Sequence, residues 1–344
     1  MNRRERILTA LNLEVPDRPP ISFDARVDSQ IDKVLRHYGA QDKNGLYVQA
    51  GIDGFSVWEW NAIMPRYRWE LPVLEDGHRP DFWGNSYPTH FGLESCDTIQ
   101  ALKAHRWPRP EDFDYSHAYG QALAIKAQDQ VVSAGHLGLG YQMHNMLRGN
   151  IKALYDVTDP AYMSVYLDHL LDFTLAWLDH LLTAARGEIE VVRADDDIGT
   201  MNRLMVSPET WRRYYKPCWK AAFDLVHRHG AKVWFHSCGY IYPLLDDLVE
   251  IGVDVWNPFP SYVLGNDHER LKEWRRGRLA LDGGVSHHVL VQGTPQEVID
   301  ETRQVLDRFA PDGGLLIGPS QVFTADVSAE NIIAFFETCL SYGG

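Results

Sequence analysis

His236 and Cys238 stand two residues apart in the segment Val233-Trp234-Phe235-His236-Ser237-Cys238-Gly239. The run reads as a short buried strand that ends in a glycine. Side chains on a strand alternate between faces, so the imidazole and the thiol point one way and Ser237 the other. From one face both can reach a single Zn²⁺, at about 2.0–2.1 Å for nitrogen and 2.3 Å for sulfur. The same spacing also suits two ordinary core side chains, so the weight falls on what surrounds it. Asp195, Asp196 and Asp197 close another β-branched run, and Asp195 and Asp197 share a face if that strand continues. Asp197 is the candidate to orient a ligand histidine, bind metal or act as catalytic acid–base. Helix capping, or a salt bridge to Arg193 or Arg203, is the bland use of the same acids.

Further candidates collect at other strand ends. His287 and His288 follow Gly283-Gly284, and His288 is taken as the second catalytic candidate. His136, His144 and Arg148 come after a third strand. His144 is read as substrate- or metal-binding, and Arg148 as the partner of an anionic substrate group or of a structural acid. Asn257, at the end of a fourth strand, completes the substrate-binding set. Trp58, Trp60 and Trp83 have the chemistry to wall a methylammonium or aryl ether pocket, although core packing is their commoner use. Cys218, in a helix among aromatics, reads as packing.

These residues need elements to position them. From about residue 186 a strand-then-helix unit repeats. Glu188 to Ala194 is a strand, and Ser207-Pro208-Glu209 opens a helix with an N-cap, a proline at the first position and an acid in the first turn. That helix stops at Gly230. The strand through Cys238, Val253–Phe259, Arg278–Val285 and Gly314–Pro319 follow, each trailed by a helix. Alternation of this kind gives a parallel sheet with right-handed crossovers. Pro20–Asp24, Gly54–Trp58 and Val131–Leu137 supply strands in the first half, Asp159-Pro160 caps a long helix, and Trp69–Phe91 reads as a β-hairpin insertion. Eight strand candidates in 344 residues predict a (β/α)8 TIM barrel with N-terminal helical and hairpin insertions, as a single domain over residues 1–344. A doubly wound sheet is the alternative, but no G-x-G-x-x-G follows a strand. In a TIM barrel the chemistry lies at the C-terminal strand ends, which is where Asp195–Asp197, His236/Cys238, Asn257 and Gly283–His288 fall.

Composition narrows the function. A formal charge of −14 argues against nucleic acid and anionic membrane as partners. The four cysteines, Cys96, Cys218, Cys238 and Cys339, are scattered without C-x-x-C spacing, as in a reducing compartment. The charged start lacks a signal-peptide core, and no apolar run is long enough to span a bilayer, so a cytoplasmic protein is expected.

Several segments, in order, resemble the uroporphyrinogen decarboxylase superfamily, and within it the branch of zinc-dependent, corrinoid-linked methyltransferases. They are Arg4-Glu5-Arg6 to Asp17-Arg18-Pro19, Leu147-Arg148-Gly149, Asp196-Asp197 to Gly199, Met205 to Pro208, His236-Ser237-Cys238-Gly239, Gly293-Thr294-Pro295 and Glu330-Asn331-Ile332. The resemblance implies that His236 and Cys238 bind zinc, and that a thiol held at the metal accepts a methyl group from a corrinoid carried by a partner protein. Two positions depart from the pattern. Gln321 stands where the resemblance implies a third zinc ligand; Gln is a poor zinc donor, so His144, Asp197, His287 and His288 are candidates to replace it. The arginine-rich N-terminal signature of the decarboxylase is also absent, the region reading Ile21-Ser22-Phe23-Asp24-Ala25-Arg26. One arginine does not balance a polycarboxylate tetrapyrrole.

The leading expectation is a zinc-dependent methyltransferase acting between a corrinoid or methylated small molecule and a thiol-type acceptor. A corrinoid-binding protein is its candidate partner and a homodimer its candidate assembly. A metal-free decarboxylase or lyase, or a non-catalytic ligand-binding barrel, are the alternatives.

Overall fold

A computed structural model describes residues 1–23, 28–54, 62–74, 77–86, 89–260 and 268–342. Trp58 and Trp60, together with Asp24, Ala25 and Arg26, lie outside the described residues. The strands are β1 (Ala62–Ile63), β2 (Arg66–Tyr67), β3 (Phe113–Asp114), β4 (Ser133–Leu137), β5 (Val191–Asp195), β6 (Lys232–His236), β7 (Val255–Phe259), β8 (Ala280–Val285) and β9 (Leu315–Pro319). Seven of them form a parallel sheet in the order β1-β4-β5-β6-β7-β8-β9. The eighth stave is the segment at Pro20–Ser22. Ile21 bridges Ile317 of β9 in parallel, Ser22 N donates to Ile317 O at 2.8 Å, and Gly54 N on the other side donates to Ile21 O at 3.2 Å. Pro19 and Pro20 carry no N–H, which holds this stave to a single bridge. The architecture is the (β/α)8 TIM barrel.

Several helices of the barrel have starts that the sequence encodes. In Pro208–Arg228 the Ser207 hydroxyl accepts from Thr210 N, and Trp211, Tyr215, Trp219 and Phe223 turn one apolar stripe to the sheet. Asp159 caps the long helix Pro160–Ala184 in the same way. Two expectations need correction. Among the described residues of the expected hairpin, 69–91, no strand forms: Leu74 N donates to His78 O at 2.8 Å, and one isolated antiparallel bridge joins Ser86 and His90. Pro72, Pro80, Gly77 and Gly84 interrupt any ladder there, and β2 pairs instead with β3, antiparallel. The strand before Cys238 also ends sooner than expected, at His236.

The N-terminal mouth of the barrel is closed. Ile7, Ala10 and Leu11 of the helix Arg3–Leu11 pack on Val131, Val191, Trp234, Val255, Ala280 and Leu316, about one side chain from each neighbouring stave. Arg6 of that helix pairs with the buried Asp53, which also pairs with Arg18 and accepts from Ile21 N at 2.9 Å. The barrel is therefore open to chemistry at the other end.

Candidate metal centre

Sheet register brings the open end together. Asp195 of β5 lies beside His236 of β6, and His236 beside Asn257 of β7. Inward-facing positions one layer below hold Arg193 and Trp234, with the guanidinium 4.9 Å from the indole ring centre and the indole stacked on His236. His236 thus stands on an ordered aromatic and cationic floor.

Beyond the strand ends the chain delivers two more donors. Asp197 Oδ1 lies 3.5 Å from His236 Nε2, and Cys238 Sγ lies 3.4 Å from the same nitrogen. The three ligand atoms all fall within 4.8 Å of one another. Among the described residues this is the one group of three or more His, Cys, Asp or Glu side chains able to hold a metal ion. A tetrahedral zinc site with standard bond lengths has nitrogen–sulfur and nitrogen–oxygen edges of about 3.3–3.6 Å, so the donor set fits the ion.

Neighbours hold each donor in place. Asn257 Oδ1 accepts from His236 Nδ1 at 2.8 Å, while Asn257 Nδ2 donates to Asp282 Oδ2 at 2.9 Å. Trp234 Nε1 donates to the same Asp282 oxygen at 2.9 Å. Because Asp282 fixes the amide and the amide oxygen can only accept, the histidine proton sits on Nδ1 and Nε2 presents its lone pair. Gln142 Nε2 donates to Asp197 Oδ2 at 3.1 Å, and Cys238 N donates to Asp197 Oδ1 at 2.8 Å. The loops bearing Asp197 and Cys238 interlock: Tyr240 N donates to Thr200 O at 2.8 Å. A Cβ at Gly199 would sit 2.5 Å from Cys238 O, and one at Gly239 2.5 Å from Thr200 O.

The acids around the centre behave differently. Burial pushes Asp195 up, but the hydrogen bond from His136 and the charge of Arg193 win and hold it well below the usual range. Burial pushes Asp196 up to about 7, although Gln142 N, Trp211 and Trp219 donate to it from the outer side of the sheet. Burial likewise raises Asp282 to about 6 and lowers His236. Burial, with the Asp197 charge added, pushes the Cys238 thiol up to about 12. A thiolate at neutral pH therefore needs a cation in contact with it.

Placement corrects several expectations. Asp197, read as catalytic and also among the candidates for third ligand, lies in the donor set with His236 and Cys238. Gln321 reaches the site but offers its amide nitrogen, donating to Cys238 Sγ at 3.4 Å. His144 is fully buried away from the site, with Nδ1 on the Tyr215 hydroxyl at 2.9 Å and Nε2 on Asp156 at 3.1 Å. Arg148 is committed to Asp156, to Asp97 and to the carbonyl of Leu93, so it faces protein rather than substrate. His288 is exposed on the outer surface, and its neighbour His287 points to Thr324 Oγ1 at 3.4 Å. Asn257 serves the histidine. Sequence reasoning missed Gln142 and Asp282. For Asp282 the signal was present, a single acid inside the otherwise apolar run Leu279–Val285; for Gln142 there was none.

Over residues 144–342, more than half of the chain, the sequence matches the family described as Uroporphyrinogen decarboxylase (URO-D). No curated protein matches it. Among solved structures, a methyltransferase from Methanosarcina mazei is similar over 100% of both chains, with 17% identity and a TM-score of 0.61. At that identity the likeness speaks for the fold. The apo form of the 3-keto-D-glucoside 4-epimerase YcjR from E. coli aligns over 66% of this chain and 84% of its own at 14% identity; its TM-score of 0.39 carries no argument.

Proposed function

Since the chain belongs to the uroporphyrinogen decarboxylase family, we propose that it is a metal-dependent methyltransferase, with Asp197, His236 and Cys238 as the ligands of a zinc ion. The observation that carries this reading is the spacing of the three donor atoms, whose 3.4 and 3.5 Å edges are those of a tetrahedral zinc site. The whole-chain likeness to a methyltransferase fold supports it. When bound, zinc would hold a thiol as thiolate or polarise a methoxy oxygen at neutral pH. The rest is the work of the chain. Asn257 and Asp282 keep the His236 lone pair aimed at the mouth, Gln142 orients Asp197, and the Gln321 amide stabilises negative charge on Cys238. Cys238 and Asp197 together bring two negative charges, so a divalent cation makes the site neutral. The closed lower mouth keeps the reacting groups at one end. The methyl group would pass from a corrinoid carried by a partner protein, or from the O, N or S of a methylated small molecule, to a thiol-type acceptor. The new S–CH3 bond forms as the donor's bond to methyl breaks, and the donor keeps that electron pair.

Metal analysis of protein purified without added zinc tests this. We expect about one equivalent per chain, falling sharply in His236→Ala and Cys238→Ala. Less than about a tenth of an equivalent, unchanged on adding zinc, would overturn the reading. Cys238→Ala should also abolish methyl transfer, whereas a metal-free lyase on the same barrel would survive that change.

A further inference from the structure

A cavity of about 330 Å³ opens beside the centre, sharing Gln142 and Asp195 with its surroundings. Its apolar wall is built by Phe82, Trp83, Met143, Met146, Phe173 and Trp177, drawn from the N-terminal insertion, the helix Tyr141–Arg148 and the helix Pro160–Ala184. Resting on the reading above, we infer that this cavity seats a neutral single-ring aromatic substrate with one hydrogen-bonding substituent, its polar end at His136 and its reacting end toward Asp197.

Size comes first. A cavity of roughly 150 Å³ holds one benzene molecule, so about twice that holds one ring with substituents and no tetrapyrrole. The walls decide the polarity. Trp83 and Phe173 meet edge-on at 4.8 Å and Phe82 lies 6.1 Å from Phe173, a cluster whose ring faces suit an offset or T-shaped guest. Methionines fill the remainder with soft, adaptable surface. No Lys or Arg is among the cavity's described lining residues, which disfavours a polyanionic guest. The two acids of the lining are both engaged by the protein. Asp195 is paired with Arg193, and Asp81 accepts from Trp83 N and Asn85 N, each at 2.9 Å.

Among the polar groups of the lining, His136 stands beside the centre. His136 lines the cavity and its Nδ1 lies 3.1 Å from Asp195 Oδ2. It is placed there by a bulge in β4, where the register shifts between Gly135 and Leu137 and Gly135 takes a φ of 101°. Bulges beside active sites serve to re-aim a side chain in this way. At the same edge Gln142 leads to Asp197, so a ring anchored at His136 presents its other substituent to the donor set.

The test is binding, read by tryptophan fluorescence, of 2-methoxyphenol, methoxybenzene and tetramethylammonium to zinc-loaded and chelator-treated protein. We expect saturable binding of both rings, tighter for the phenol, and weak binding of the cation. Met146→Trp, which fills the cavity, should weaken ring binding at least about tenfold while zinc content stays unchanged. His136→Leu should remove most of the preference for the phenol, about fivefold, and leave methoxybenzene unaffected. Failure of both rings to bind zinc-loaded protein, or tighter binding of tetramethylammonium, would overturn the inference and leave the metal centre standing. Ring binding by a protein that takes up no zinc would support the cavity and sink the centre.

Discussion

Asn257 joins two jobs at the residue scale, because one amide both accepts from His236 and donates to a buried acid. Removing it would let the imidazole turn and choose the wrong tautomer, with the ligand atoms themselves untouched. Outer partners of this kind alter metal affinity by about 10–100-fold. We therefore expect Asn257→Ala to fold normally and to weaken zinc binding by that factor, as measured by competition with a chromophoric chelator. An unchanged affinity would show that the histidine is held by something else. His236 and Cys238 were legible in the sequence as a pair two residues apart at a strand end, although the strand stops at His236 and Cys238 is placed by the loop beyond it. The third donor was legible only as one of four candidates, His144, Asp197, His287 and His288, since Asp197 lies past the end of β5, where alternation no longer dictates direction. His144 and Arg148 were misread for a related reason. A buried His or Arg looks the same in sequence whether it faces a substrate or a protein acid, and here Asp156 takes both.

At the scale of elements, the second half of the barrel could be read almost stave by stave. Caps such as Ser207 and Thr294, and the glycines that end helices, carry local physics that survives in sequence. The first half hid its order behind prolines, two-residue strands and an insertion whose turns mimic a hairpin. The bulge in β4 is also invisible to alternation, because it breaks the period that would reveal it. Its glycine is testable. A side chain at Gly135 would place Cβ 2.8 Å from Arg193 O in a left-handed backbone conformation. Gly135→Ala should thus lower stability by about 1–3 kcal/mol, seen as a fall in Tm. If the protein kept its Tm, the bulge would be a passive irregularity rather than a built support for His136.

Whole-molecule behaviour includes a clear dependence on acid. Asp17 is held well below the usual carboxylate range, chiefly by its hydrogen bond from Arg6, on the helix that stoppers the barrel. A carboxyl with a depressed folded value stabilises the fold above its ordinary pKa near 4 and loses that contribution as pH falls toward the folded value. Burial lowers His144, so below about pH 6.5 the unfolded chain takes up a proton that the folded one refuses. Both terms lower stability on acidification, whereas Asp196 and Asp282, raised by burial to about 7 and about 6, add stability as pH falls toward 4. The steep fall in Tm is therefore expected below about pH 4, where only the depressed carboxyls still titrate. Asp17→Asn should flatten the lower part of that curve, though modestly, because the side chain is 43% exposed. A Tm that rose between pH 4 and pH 3 would contradict the Asp17 assignment. Closure itself, with Ile21 bonded to Ile317 across nearly 300 positions, is a long-range property that no local pattern announces. The seam between Gly199 and Gly239 reaches equally far in its effect. It leaves no room for a methyl group, so lengthening one of those two loops would have to be matched by a change in its neighbour. Protein engineers exchanging segments between barrels would have to transplant the pair as one cassette, since either alone would bring only part of the donor set and a steric collision.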